Sequence, residues 1–93
     1  MPTPPVTPDG AWRLSGSVAL RPEPFGALAY DFHTRRLSFL KTPALVDVVR
    51  RLEGAASVRE ALAGAAVPDA EHPAYLRALG NLAEGGLIEE QVR

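Results

Sequence analysis

Imidazoles and thiols carry much of the nucleophilic, acid–base and metal chemistry open to a small protein, and this chain has two histidines and no cysteine. Without cysteine there is no disulfide, iron–sulfur ligation, thiolate zinc site or cysteine nucleophile. His33 lies in a polar stretch between two alternating runs, and His72 sits in Glu71-His72-Pro73 at a helix start, so solvated or capping positions account for both. Neither has a third ligand at motif spacing for a zinc or iron site. The glycines form neither Gly-x-Gly-x-x-Gly nor the Gly-x4-Gly-Lys-Ser/Thr loop, so no phosphate cradle is encoded. Arg35-Arg36 and Arg50-Arg51 could each grip a phosphate or carboxylate, but a solvated turn and the polar face of a helix, whose negative end suits Arg50 and Arg51, explain them better. The expectation is a protein that is not an enzyme, with no catalytic residues, metal or cofactor.

The elements therefore have a surface to position rather than a reacting group. Ninety-three residues, 46% apolar and 23% charged, make one folded domain. Six of the nine prolines precede residue 25, four of them within 1–8, so residues 1–10 read as a disordered Pro-rich tail and 11–93 as the single domain. No apolar run approaches the roughly 18 residues of a membrane span, and the N-terminus lacks the basic start and apolar stretch of a signal peptide. That reads as a cytoplasmic protein without membrane contact. Ten Lys+Arg against eleven Asp+Glu, a net charge of −1, argues against nucleic acid as a partner.

Trp12 and Leu14 alternate with Arg13 and Ser15 as a short strand would, and Val18 to Leu20 reads as an edge strand stopped by a loop at Arg21-Pro22-Glu23-Pro24. In the next run Leu28, Tyr30 and Phe32 share one face, and Ala27, Ala29 and Asp31 the other. A second alternating run, 36–41, follows the polar turn His33-Thr34-Arg35, which predicts a β-hairpin. The period then changes. Thr42-Pro43 caps a helix whose inner face is Leu45, Val48, Val49 and Leu52, ending at Gly54. Ser57-Val58-Arg59-Glu60 is a capping box opening a short helix to about Gly64. Pro73 starts a third helix, 73–84, with an apolar stripe that stops at Gly85-Gly86, after which Leu87-Ile88 should dock back on the core.

Strands followed by three helices predict an α+β domain, and the order helix, turn, helix, then Gly-Leu-Ile is that of a winged helix-turn-helix. A winged-helix DNA-binding protein is the alternative this order raises. Its recognition helix would lie in residues 71–93, where Arg77 and Arg93 face Glu71, Glu84, Glu89 and Glu90, a net −2 that would repel a duplex. A small enzyme of unknown type is the other alternative, for which the residues supply no machinery. What remains is protein binding. The strand over 36–41 has at most one expected neighbour, and an unpaired edge is a template on which an extended peptide can add a strand, unless the N-terminal strand or a second subunit covers it.

The stretches Val18-Ala19-Leu20-Arg21-Pro22-Glu23-Pro24-Phe25-Gly26-Ala27-Leu28 and Thr34-Arg35-Arg36-Leu37-Ser38-Phe39-Leu40-Lys41 resemble the peptide chaperones of mycofactocin biosynthesis. These belong to the wider group of recognition elements like the pyrroloquinoline-quinone peptide chaperone. The likeness covers about residues 12–90, and the helical half matches only in pattern. The resemblance implies a winged-helix-like domain of three N-terminal antiparallel strands followed by three helices. It also implies that the leader of a ribosomally made precursor peptide adds beside the third strand, in the cleft against the third helix. The precursor is then presented to a radical S-adenosylmethionine maturase, which decarboxylates and cross-links its C-terminal Val-Tyr pair and holds the iron–sulfur chemistry. Carried onto this chain, the expected peptide-binding residues are Arg36, Leu37, Ser38, Phe39, Leu40 and Lys41 of the strand with Tyr75, Leu76, Leu79 and Leu82 of the helix. Arg36, Lys41 and Arg77 are the cations expected to orient an acidic leader.

Overall fold

A computed structural model describes residues 4–91, and among these the chain forms five strands and three α-helices in the order β1 (Trp12–Leu14), β2 (Val18–Glu23), β3 (Gly26–Asp31), β4 (Leu37–Leu40), α1 (Pro43–Leu52), α2 (Val58–Gly64), α3 (His72–Glu84) and β5 (Ile88–Glu90). The fold is α+β, as the order of periods suggests. It differs from three N-terminal strands followed by helices, because β5 comes after the last helix and the strands divide into two antiparallel sheets, β2-β3-β4 and β1-β5.

The helices begin where side chains can accept orphan N–H groups. The Thr42 hydroxyl accepts from the Leu45 N–H at 3.1 Å, and Ser57 accepts from the Glu60 N–H at 3.2 Å. Val48, Val49 and Leu52 of α1, Val58, Ala61 and Leu62 of α2, and Leu79, Leu82 and Ala83 of α3 are buried together. On β3 the small side faces in. Ala27, Ala29 and Asp31 are 0%, 1% and 3% exposed, so β3 turns its small side chains to the core and Leu28, Tyr30 and Phe32 point the other way.

Strand β2 corrects the expected loop at 21–24: it continues through Pro22 and Glu23 to a two-residue turn, Pro24-Phe25. The Phe32 N–H donates to the Ser17 carbonyl at 2.8 Å, which makes Ser17 and Phe32 a hydrogen-bonded pair. Antiparallel alternation then turns the amides of Ala19, Arg21 and Glu23 toward β3 and those of Val18, Leu20 and Pro22 toward the free edge. Pro22 lacks an N–H where no ladder bond needs one. At the turn, Gly26 has φ +157°, and a Cβ there would overlap the Leu40 carbonyl of β4, so this position requires glycine.

Strand β1 does not cover β4. It pairs with β5, Leu14 opposite Ile88, and carries the buried Trp12 onto the core. The Ser15 hydroxyl donates to the Gly86 carbonyl at 2.6 Å, and the Gln91 side chain donates to the carbonyls of Trp12 and Leu52, tying this ribbon to α1. Leu87 and Ile88 are buried, docked on the core as expected, with Ile88 in a strand that three residues were too few to announce. Of the residues read as a disordered tail, 1–3 lie outside the described residues. Along 4–10, the carbonyls of Gly10 and Pro8 accept from the N–H groups of Val58 and Arg59 at the start of α2, and Val6 packs against the core. His72 opens α3 with Nε2 3.0 Å from the Val67 carbonyl, and a short 3₁₀ turn, Asp69–Glu71, precedes it.

One carboxylate closes the β3-β4 hairpin. Asp31 Oδ1 accepts from the Ser17 hydroxyl at 2.7 Å, the His33 N–H at 2.9 Å and the Thr34 N–H at 3.3 Å. The Ser17 bond, with those of the turn amides, holds the Asp31 carboxyl below its ordinary 3.8 although burial opposes this. A carboxyl whose folded pKa is depressed stabilises fully above its unfolded value and loses that contribution as pH falls through the folded one. Asp31→Asn should therefore lower the urea midpoint at pH 7 and flatten the loss of stability that the wild type shows below about pH 4; urea titrations across that range check it.

Candidate functional site

The backbone parity of β4 follows from its hairpin. The Asp31 N–H donates to the Arg36 carbonyl at 2.9 Å, so Asp31 and Arg36 are a hydrogen-bonded pair. With Ala29 opposite Ser38 and Ala27 opposite Leu40, alternation directs the amides and carbonyls of Ser38 and Leu40 to β3, and those of Leu37 and Phe39 outward. Of the two edges of this sheet, β2 is interrupted by Pro22 and β4 is open.

The open edge looks across a groove to α3. Ser38, Phe39, Leu40, Lys41, Leu45, Ala78, Asn81 and Leu82 line a cavity of about 360 Å³. A second, of about 290 Å³, lies between Thr42, Leu45, Glu71, Ala74, Tyr75 and Ala78. Leu45 and Ala78 border both, so the two make one trough with the β4 edge and the start of α1 on one wall and α3 on the other. Between Glu71 and Asn81 the helix advances about 15 Å, the length of roughly five residues of extended chain. Buried Leu40 and Leu82 form the apolar base. The Arg36 guanidinium lies beside Gly85 at the C-terminal end of α3, where a cation complements the negative end of the helix dipole.

The structure sorts the expected site residues. Ser38, Phe39, Leu40, Lys41, Tyr75 and Leu82 border the trough. Arg36 stands exposed at its end, and Leu37 lies on the same open edge with its side chain 53% exposed on the outer face of the sheet. Leu79 is 0% exposed, a core residue. Leu76 and Arg77 lie on the opposite flank of α3, with Gly80 and Glu84, where Pro4, Pro5 and Val6 run alongside. Ala74, Ala78, Asn81 and Leu45 were not anticipated. The signal for the first three was positional: Ala74, Ala78 and Asn81 share the flank of Tyr75 and Leu82 at helical spacing, yet small and polar residues add nothing to an apolar stripe.

The fold and trough define a small α+β domain with an open sheet edge facing a helix across an apolar groove. Residues 11–89 match the model of the Peptide chaperone MftB family, and the chain belongs to that family. It is 51% identical over 84 residues to the Peptide chaperone MftB of Mycobacterium ulcerans, covering 90% of this chain and 77% of that protein. Against the proteins of the same name from Mycolicibacterium smegmatis and Mycobacterium tuberculosis it is 49% and 48% identical over 81 residues, 87% of this chain and 79% and 74% of theirs. No solved structure matches it. The family is that of the mycofactocin-biosynthesis chaperones, and its role is not enzymatic.

The parity of β4 separates two otherwise similar substitutions. Ser38→Pro removes an N–H directed at β3 and strands the Ala29 carbonyl, a cost of about 1–3 kcal/mol, whereas Phe39→Pro removes an N–H directed at solvent. Thermal melts should show the larger loss for Ser38→Pro and a cooperative transition closer to wild type for Phe39→Pro.

Proposed function

We propose that this chain captures the leader of a ribosomally made precursor peptide as an added strand on β4 and presents it to a radical S-adenosylmethionine maturase in mycofactocin biosynthesis. The observation that carries this reading is the open β4 edge, with the amides of Leu37 and Phe39 directed outward beside the apolar trough against α3. In strand addition the main chain supplies affinity and alternate side chains supply selectivity. Leader residues of one parity would enter the trough over Leu40, Leu45 and Leu82, between the small side chains of Ala74 and Ala78. Those of the other parity would face away from it. Arg36 and Lys41 flank the strand and would favour a carboxylate-bearing leader. The arrangement of three strands and three helices is then read as a winged helix whose third helix serves as the groove wall. The iron–sulfur chemistry stays with the maturase, and the chaperone contributes binding and orientation.

Titration of a fluorescently labelled precursor peptide into the purified chain tests this. Ala78 is half-buried on the trough wall, so Ala78→Phe should fill the groove and reduce affinity at least about tenfold while circular dichroism and melting remain cooperative. Phe39→Pro should weaken binding by about two- to twelvefold, the equivalent of one backbone hydrogen bond. Leu76→Ala, on the far flank of α3, should leave affinity unchanged. Normal binding by both folded groove variants would place the leader elsewhere.

A further inference from the structure

The large apolar side chains left exposed among the described residues gather on one surface: Phe32 is 64% exposed, Phe39 56%, Leu37 53% and Phe25 41%. Register sets Leu28 opposite Phe39 and Tyr30 opposite Leu37, all on the side of the β2-β3-β4 sheet turned away from buried Ala27, Ala29 and Asp31. The rings support one another, Phe25 against Phe39 with centroids 6.0 Å apart and Tyr30 against Phe32 at 5.3 Å. Ala19, Arg21, Leu28, Tyr30, Phe32 and Leu37 enclose a depression of about 300 Å³ on this face. A contiguous apolar patch on so small a domain marks a protein contact.

Charge indicates what kind of contact. The segment 17–41 carries Arg21, Arg35, Arg36 and Lys41 against two carboxylates. Asp31 points inward, and Glu23 is paired with Arg21 at 3.4 Å. Arg36 turns to Gly85 of α3, so among the described residues the charges left without an ion-pair partner at the margin of this face are Arg35 and Lys41, a cationic rim although the chain as a whole is at −1. Two copies meeting face to face would oppose rim to rim, whereas a surface ringed by carboxylates complements it. The patch is also continuous with the peptide edge. Leu37 and Phe39 give this face their side chains and give the open edge their amides, so a strand added to β4 would lay alternate side chains flush with it.

We infer that the outer face of the β2-β3-β4 sheet docks the enzyme that modifies the captured peptide, through an apolar patch of that enzyme ringed by carboxylates. The inference rests on the peptide-capture reading and deepens it: an enzyme seated here touches chaperone and cargo together.

The test uses the full chain with the maturase and precursor peptide of the same gene neighbourhood. Phe32→Asp and Arg21→Glu change exposed side chains outside the β4–α3 trough. Both should melt like the wild type and bind labelled precursor within about twofold of it, yet bind the maturase at least about tenfold more weakly in calorimetric titrations. Raising the salt concentration should weaken the wild-type complex. Normal maturase binding by both variants overturns the inference and leaves peptide capture standing. So does a wild-type dimer in sedimentation that Phe32→Asp converts to monomer, since the face would then belong to a second copy. Failure of the wild type to bind precursor counts against the capture reading, while the maturase titration, run without peptide, still decides the face.

Discussion

The open sheet edge and the exposed sheet face both depend on the closure of one hairpin around Asp31. Its carboxylate gathers the Ser17 hydroxyl and two turn amides, while its own backbone exchanges bonds with Arg35 and Arg36. These contacts fix the register of β4 on β3. Side chains in a strand alternate with period two, so a slip of one residue would exchange the roles of Leu37 and Phe39 with those of Ser38 and Leu40. The apolar residue that forms the trough base would then face solvent, and the outward amides would be consumed in the ladder. A polar contact at the end of the sheet therefore sets which backbone groups and which side chains the rest of β4 offers.

The helices were legible because their signals are local. Thr42-Pro43 and Ser57 name the starts, and the spacing of Leu45, Val48, Val49 and Leu52 names the buried face, all within a few residues. The sheet was less legible because pairing decides it. A proline at 22 reads as a stop, and only the parity set by Ser17 and Phe32 shows that its missing N–H falls on the free edge. Strand β5 depends on a partner at the other end of the chain, so its three residues carry no pattern of their own. The groove shows the same division. The stripe Tyr75, Leu76, Leu79 and Leu82 is wide enough to wrap α3, and sequence cannot apportion it between the core, the trough and the far flank. Tertiary packing does so, leaving Leu79 wholly buried and Leu76 on the side away from β4.

If the peptide adds as a strand, as proposed, a binding site made largely of backbone would explain why so few residues in this chain stood out as functional. Strand addition draws on N–H and C=O groups that every residue but proline possesses, so the side chains serve chiefly to keep the edge free and the opposite wall low. Alanines at 74 and 78 meet the second need, since larger side chains there would close the gap between helix and strand. Pro22 bears on the first from the other side of the sheet, making β2 a poor template and leaving β4 as the edge on which pairing can propagate. Small side chains on α3 and the lack of a proline in β4 are absences, and an absence makes no motif.

The two-layer architecture adds a consequence for the opposite side of the sheet. With helices on one face only, β3 must turn one set of side chains to solvent, and here the small set faces the core while the large set faces out. Burying Ala27 and Ala29 brings α1 close to the sheet but leaves Leu28 and Tyr30 only half-buried and Phe32 exposed, an arrangement that stability alone does not favour. Exchanging the two sets would bury more apolar area at the expense of a wider separation between the layers. The outward aromatics pack on one another but not on the helices, and the free energy available from covering them is left for an association.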